Sequence, residues 1–355
     1  MTRDVSPQFW NGRRVLLTGH SGFKGAWTAT WLAEIGAHVT GLSLPPETEP
    51  SLHQLMGVDP RIDSIYGDIR DADLVARVCR QAQPQIVIHM AAQPLVRRSY
   101  REPVETFATN VMGTVNVLQS VRGLPGIEAV LVVTSDKTYE NKDHGHRYTE
   151  EDALGGSDPY SASKAATEIV TASYERSYFA PLGVPVATAR AGNVIGGGDW
   201  SQDRLIADIW RAARREEIVE LRYPNSTRPW QYVLEPICGY LRYVEALVSD
   251  RDRALPRALN FGPVEHDSMS VAEVVDMFCN SGNGRNWRQA SGEHPPEKLF
   301  LAIDASKSRQ TIGWSPRLSM KEAIRWTADW YRAFDDGRDM RAVTLSQIAT
   351  YRELK

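Results

Sequence analysis

Three cysteines in 355 residues, Cys79, Cys238 and Cys279, are too few and too widely spaced for a disulfide framework or a structural metal site. Each reads as a small buried apolar residue. No apolar run approaches the ~20 residues that span a bilayer, and the opening stretch MTRDVSPQFWNGRR carries no apolar segment of signal-peptide length. Neither charge is in excess: 41 Lys and Arg against 44 Asp and Glu give a net charge of −3. Nothing in that balance draws nucleic acid or an anionic membrane surface. Internal repeats and low-complexity tracts are also missing. These absences predict a soluble, cytoplasmic protein with no metal, no nucleic-acid partner and no membrane partner. The length fits one large domain or two intimate ones, and 42% hydrophobic residues suffice for a substantial core.

What is present is an alternation. RRVLLTG, AHVTGLSL, IDSIYGDI, QIVIHMAAQ, AVLVVTSD and PVATARAGNVIG read as strands. KGAWTATWLAEIG, DADLVARVCRQAQP and the long PVETFATNVMGTVNVLQSVR read as helices between them. Strands apolar on both faces, separated by helices, predict a parallel sheet wound on both sides. After about Ile195 the alternation turns irregular, and a smaller mixed α/β lobe is expected there. RALNFGP, 257–263, reads as a strand returning to the main sheet. The predicted division is 1–193 plus about 230–262 for one half and 194–229 plus about 263–355 for the other.

The first strand runs into TGHSGFKG, with Gly19, Gly22 and Gly25 at three-residue spacing before a helix. Such glycines permit a tight turn, close approach of a pyrophosphate to the backbone, and close packing of helix on strand. The helix N-terminus adds free N–H groups and positive dipole. In this strand–loop–helix setting the pattern predicts dinucleotide binding and a Rossmann-type fold. Lys24 can meet phosphate or simply be solvated. An acid after the second strand would mark NAD; VTGLSLPPETEP has Ser43 there, and no arginine that would mark NADP. Asp68, in YGDIRD, reads equally as an adenine contact or as a helix N-cap or surface acid.

SDPYSASKAATE places Tyr160 and Lys164 one helical turn apart, behind Asp158 as N-cap and Pro159 at the first helical position. A free phenol has a pKa of about 10. A neighbouring ammonium is expected to lower it by about 1–3 units, so that Tyr160 accepts an alcohol proton as hydride leaves the same carbon. Ser135, at a strand end, is placed to donate to the reacting oxygen.

These motifs resemble the extended short-chain dehydrogenase/reductase superfamily over nearly the whole chain. Asn110 in TFATNVMGT and Ala91, Ala92 and Gln93 in AAQ match its mid-helix asparagine and its fourth-strand cofactor contact. The resemblance implies NAD, held by Gly19, His20, Gly22, Phe23, Lys24, Gly25, Ser43, Asp68, Ile69, the AAQ segment, Asn110, Tyr160 and Lys164. It also implies a homodimer, formed through the helices bearing Asn110 and Tyr160.

TSDKTYEN adds Asp136 and Lys137 beside Ser135, more than a simple dehydrogenase or epimerase needs. With HMAAQPLVRRSY, AGNVIGGGDW and RPWQYVLEP, it is similar to the nucleotide-sugar 4,6-dehydratases, and within them to those acting on a cytidine-diphosphate hexose. The resemblance makes Asp136 the acid for water loss from C6. Lys137 is either the base at C5 or a cation stabilising the enolate. To act as a base it would have to be neutral, well below its ordinary pKa of about 10.4. The implied substrate residues are Arg97, with its neighbour Arg98, Ser135, Asn193, Asp199, Trp200, Arg204, Arg228 and Tyr232. Guanidinium forks at 204 and 228 suit a diphosphate. Trp200 or Trp230 can stack on a base or belong to the core. His144, His146 and Ser157 depart from the residues expected in that branch. A 4-epimerase or 4-reductase would leave Asp136 and Lys137 without a role, and a non-catalytic dinucleotide sensor would not need the Ser135–Tyr160–Lys164 set. The product would feed deoxysugar synthesis for a surface glycan such as O-antigen.

Overall fold

A computed structural model describes residues 4–142, 145–250, 254–263, 269–283, 287–291 and 300–354. The apolar runs form seven parallel strands: β1 (Arg14–Thr18), β2 (His38–Ser43), β3 (Ile62–Tyr66), β4 (Ile86–His89), β5 (Ala129–Val133), β6 (Val186–Ala191) and β7 (Ala258–Phe261). Their spatial order is β7-β6-β5-β4-β1-β2-β3. The order reverses between β1 and β4, which opens a crevice at the carboxyl ends of the strands.

Successive side chains of each strand feed two different cores. Val15, Leu17, Ile86, Ile88 and Leu131 face one side with Trp27 and Trp31 of helix α1 (Phe23–Glu34). Leu16, Val87, Val130 and Val132 face the other, with Val75 and Val78 of α2 (Ala72–Ala82) and Val117 and Leu118 of α3 (Gly113–Val121). Strands β4, β5 and β6 are buried along their whole length, as expected of a sheet covered on both faces. The expectation fails at β3. That strand is the sheet edge, and Asp63, Ser64 and Tyr66 are exposed.

The long helix expected from Pro103 onward is interrupted. Pro103–Phe107 leads into one wide turn over Ala108–Met112, and only then does α3 begin. The catalytic-motif helix α4 (Pro159–Tyr174) opens as read from sequence: Asp158 accepts from the Ser161 backbone N–H at 2.9 Å, and Pro159 takes the first position.

Beyond β6 come α5 (Leu205–Arg214), α6 (Leu234–Ser249), α7 (Met320–Asp335) and α8 (Met340–Glu353). Helix α6 is buried on nearly every face and packs against β5, β7 and α1. Trp200, Trp210, Trp330, Tyr331 and Phe334 form an aromatic cluster that ties α5 and α7 to the segment after β6. RALNFGP does return to the sheet: β7 pairs in parallel with β6, Leu259 opposite Ala189. Among the described residues no helix is long and apolar enough to cross a membrane.

Candidate active site

A cavity of about 1250 Å³ lies across the strand ends. That exceeds the ~300–1,000 Å³ of an ordinary small-molecule pocket and leaves room for two ligands. Its floor and one wall are the glycine loop and the loops after β2, β3 and β4. The opposite wall carries the catalytic turn after β5, the start of α4 and the segments around 193–204 and 228.

The glycine loop fits a dinucleotide. Gly19 has φ of 78°, and a Cβ there would stand 2.8 Å from the Ala91 nitrogen. A Cβ at Gly25 would lie 1.9 Å from the Gly19 carbonyl oxygen. These two glycines let the loop fold on itself and against the end of β4. Gly22 serves differently: it is exposed, caps α1 without any side-chain acceptor, and leaves the helix's first N–H groups open toward the cavity. An anion there completes the unsatisfied donors and meets the positive end of the dipole.

Other expected cofactor residues separate into wall and support. Phe23, Lys24, Ser43, Asp68, Ile69, Ala91, Ala92 and Gln93 stand on the cavity wall. His20 does not. Its ring is buried beneath the loop, where a Cβ on Gly41 would come within 2.3 Å, and its Nδ1 lies 3.0 Å from Ser43 Oγ. Burial, and then the nearby His53, lower its pKa to about 4. Asp68 is not the helix cap: Asp71 takes that place, and Asp68 forms a two-point ion pair with Arg70.

Asn110 also lies off the wall, at 2% exposure, and its position is more telling than a contact would be. Its Oδ1 accepts from the Gln93 backbone N–H at 2.8 Å, its Nδ2 donates to Ser163 Oγ at 2.8 Å, and its carbonyl accepts from Thr167 Oγ1 at 2.9 Å. The wide turn at 108–112 presents all three at once, and so ties the loop after β4 to helix α4. A second support escaped the sequence reading. His89 bonds Thr18 Oγ1 at 2.6 Å and Thr114 Oγ1 at 3.0 Å, and Thr18 Oγ1 accepts from the Met90 and Ala91 N–H groups. Burial holds His89 neutral, with its pKa down to about 3. A histidine inside the otherwise apolar IVIH was the available signal.

Ser135, Asp136 and Lys137 occupy a short turn after β5 that packs beside the helix bearing Tyr160 and Lys164, and all five residues line the cavity. Ser135 Oγ donates to Asp136 Oδ1 at 3.0 Å and accepts from the Lys137 backbone N–H at 3.2 Å. Asp136 is 1% exposed, and its Oδ2 has no hydrogen-bond partner among the described residues. Burial raises its pKa, against Lys137, the Ser135 hydroxyl, Arg228 and Lys24. Gly192 permits this placement, since a Cβ there would press on Pro229 and lie 3.0 Å from Asp136 Oδ2.

The expected lowering of the Tyr160 pKa by Lys164 is not what the geometry gives. Burial raises the phenol, and the pull downward comes from a Ser135 hydrogen bond and from Arg204. Lys164 donates instead to the Val133 carbonyl at 3.3 Å, and burial lowers its own pKa to about 8 against the charge of Glu168. Glu168, one turn further on and unassigned from sequence, is 4% exposed. It accepts from Thr134 Oγ1, from Thr188 Oγ1 at 2.7 Å, and from Arg190 Nε and Nη2 at 3.0 and 2.8 Å.

On the substrate side, Arg97, Asn193, Asp199, Trp200, Arg204 and Arg228 all line the cavity. Arg97 pairs with Asp203 at 2.8 Å, and Arg204 reaches the Pro94 carbonyl at 3.4 Å. Arg222 joins them on the wall, unforeseen from its sequence surroundings. Tyr232 is not on the wall: it is fully buried between Trp27 and Trp326 and donates to Gln347 Oε1 at 2.5 Å. Trp230 is buried off the wall, and Trp200 belongs both to the wall and to the aromatic cluster. Ser157 is on the wall; His146 pairs with Asp152 at 2.9 Å away from it, and His144 falls outside the described residues.

A seven-stranded doubly wound sheet with a Ser–Tyr–Lys set facing a glycine loop defines a class. Residues 16–327 match the GDP-mannose 4,6 dehydratase family, and the chain belongs to it. Within that family it is 42% identical over 353 residues to the CDP-glucose 4,6-dehydratase of Salmonella typhimurium, covering 98% of both chains. A dTDP-glucose 4,6-dehydratase of Xanthomonas campestris is 28% identical, covering 89% of this chain and 92% of that one. The fold is shared with dTDP-glucose 4,6-dehydratase from Bacillus anthracis, crystallised with NAD (TM-score 0.76, 20% identity, 93% and 100% of the two chains). It is shared equally with UDP-glucose 4-epimerase from Thermotoga maritima (TM-score 0.78, 20% identity, 90% and 99%).

Proposed function

We propose that this chain is an NAD-dependent hydro-lyase that converts CDP-D-glucose to CDP-4-keto-6-deoxy-D-glucose and water. The observation that carries this reading is Asp136: a buried carboxyl on the cavity wall at the turn after β5, raised in pKa, with one oxygen unpartnered among the described residues. An epimerase or reductase of the same fold has no use for such an acid. Identity of 42% over 98% of the chain to a CDP-glucose 4,6-dehydratase supports the nucleotide and the sugar.

NAD held along the glycine loop would supply the acceptor for hydride from C4 and the donor of hydride to C6. The residues of this chain handle the protons. Tyr160 takes the O4 proton as the C4–H bond breaks, with Ser135 bonded to the reacting oxygen and the Arg204 cation favouring the phenolate. The C4 ketone acidifies the C5 hydrogen. Asp136 protonates the C6 hydroxyl, which leaves as water while the C5–H electrons form the C5–C6 double bond. Lys137 serves C5: as the neutral amine it takes the C5 proton, and as the cation beside the enolate it leaves that proton to solvent water. Asn110 and His89 act at a distance, by holding the β4 loop and α4 in register. Arg97, Arg204 and Arg228 take the diphosphate, and Asn193, Asp199 and Trp200 complete the sugar-nucleotide wall.

In this reading residues 1–193 and 230–262 form the dinucleotide half and 194–229 and 263–355 the sugar-nucleotide half of a cytoplasmic enzyme. Val104, Met112 and Ile169 are large apolar residues left exposed on the helices around Asn110 and on α4, which suits a homodimer joined there. Sedimentation of Ile169→Glu as a monomer would bear on that joint.

The test is incubation with CDP-glucose and NAD. Loss of one water by mass spectrometry and the alkaline absorbance of a 4-ketosugar are expected. Product of unchanged mass would make the chain an epimerase, and no product would leave it a binding protein.

A further inference from the structure

Lys24 sits at the second position of α1, where a lysine is expected to face phosphate or water. Its ammonium is turned elsewhere. Nζ lies 3.5 Å from Tyr240 Oη and 5.7 Å from the centre of that ring. Tyr240 is fully buried on α6. The side chain has thus run from the glycine loop toward the strand end that carries the catalytic turn, and the charged groups it feels are Arg204, Lys164 and Asp136. Tyr240 in turn feels Asp136 and Tyr160. Lys24, Lys164 and Asp136 all stand on the wall of the same cavity. Burial first, then Arg204 and Lys164, lower the Lys24 pKa to about 8, against Asp136. Two desolvated ammonium groups therefore stand on the same wall, Lys164 with the buried Glu168 carboxylate behind it, and the Asp136 carboxyl beside them is raised toward its neutral form.

A nicotinamide ring carries a positive charge before it accepts hydride and none afterwards. We propose that Lys24 is a charge-setting residue of the redox half-reaction: its ammonium, beside Lys164, favours the reduced dinucleotide over the oxidised one and so holds the hydride while water is eliminated. This rests on the reading that NAD occupies the cavity with its nicotinamide toward Tyr160. A 4,6-dehydratase has a use for such a bias. The hydride taken from C4 must be kept through an elimination before it is returned to C6 as the C5 carbon regains a proton. A phosphate contact is a different thing, because the pyrophosphate is the same in both redox forms.

The test is binding, not turnover. Protein freed of nucleotide is titrated with NAD⁺ and separately with NADH by calorimetry, as wild type, Lys24→Met, Lys24→Gln and Lys24→Arg, with circular dichroism to establish folding. The two neutral variants are expected to lose preference for NADH over NAD⁺ by on the order of tenfold, the effect of one unit charge at a few ångströms in a partly screened site. The arginine variant is expected to keep it. Equal weakening of both forms in the neutral variants would make Lys24 a phosphate ligand, and an unchanged ratio would leave it a structural residue; either overturns the proposal while leaving NAD binding intact. Wild-type protein that takes up neither form would overturn the functional reading and this inference with it.

Discussion

Replacing Glu168 by leucine should be strongly destabilising although the residue lies off the cavity wall. The carboxylate is buried at 4% exposure and receives four hydrogen bonds, two from the Arg190 guanidinium and one each from Thr134 and Thr188. Arg190 is itself buried, with Tyr139 Oη at 2.9 Å as its other side-chain partner. Without Glu168, a guanidinium is left in the interior with its charge uncompensated. Breaking a buried pair from one side costs about 3–5 kcal/mol. With a urea slope of about 3 kcal/mol/M, the high end of the small-protein range, the unfolding midpoint should fall by about 1–1.7 M. Tryptophan fluorescence follows this transition, because indoles are spread through the core. The double replacement Glu168→Leu with Arg190→Met removes both charges and should restore at least half of the loss. A single-mutant shift under about 0.3 M, or no recovery in the double mutant, would refute the view that an uncompensated charge is the cost.

Asp136→Asn should leave C4 oxidation intact, seen as NADH absorbance on mixing with substrate, and slow water release by about 10²–10⁴. Because the carboxyl works in its protonated form and burial raises its pKa, dehydration in the wild type should decline as pH rises through that shifted value; a flat profile would count against the assignment. Lys164 has a folded pKa of about 8, below its ordinary 10.5, so between those pH values the folded state has released a proton that the unfolded state still binds. Its contribution to stability therefore rises with pH across that window, and denaturant titrations of Lys164→Met against wild type should show the variant lacking this rise. Asn110→Ala should lower kcat and thermal stability together, since the loop after β4 and α4 lose their shared bracket; an unchanged kcat would remove the positioning role.

The sheet was legible because buried parallel strands leave a plain mark: four to six apolar residues between turn signals, with a helix after each. The glycine loop and the Tyr160–Lys164 turn were legible because backbone clearance and helical spacing are local properties. Edge strand β3 was misjudged because IDSIYGDI has strand propensity without the burial that was inferred from its neighbours. The wide turn at 108–112 leaves no mark in residue type, and its reason is tertiary: it lets Asn110 reach three partners at once. Tyr232 was assigned to the substrate by its motif, yet its ring is spent on packing between two indoles. Directions of side chains are decided by such competition for space. The same limit hid Lys24, whose place in the sequence points at phosphate while Tyr240 and the catalytic turn draw its ammonium away.

The last strand of the sheet, β7, is made only after the chain has left β6 and built helices α5 and α6. Until residue 261 exists, β6 has no neighbour on its outer side, although all six of its residues end up fully covered. An expression fragment stopping near residue 193 would display that bare apolar edge and should self-associate. The segment between β6 and β7 is therefore not separable from the sheet as a piece of polypeptide, and engineering that exchanges residues 194–229 between relatives must keep β7 with the sheet it completes.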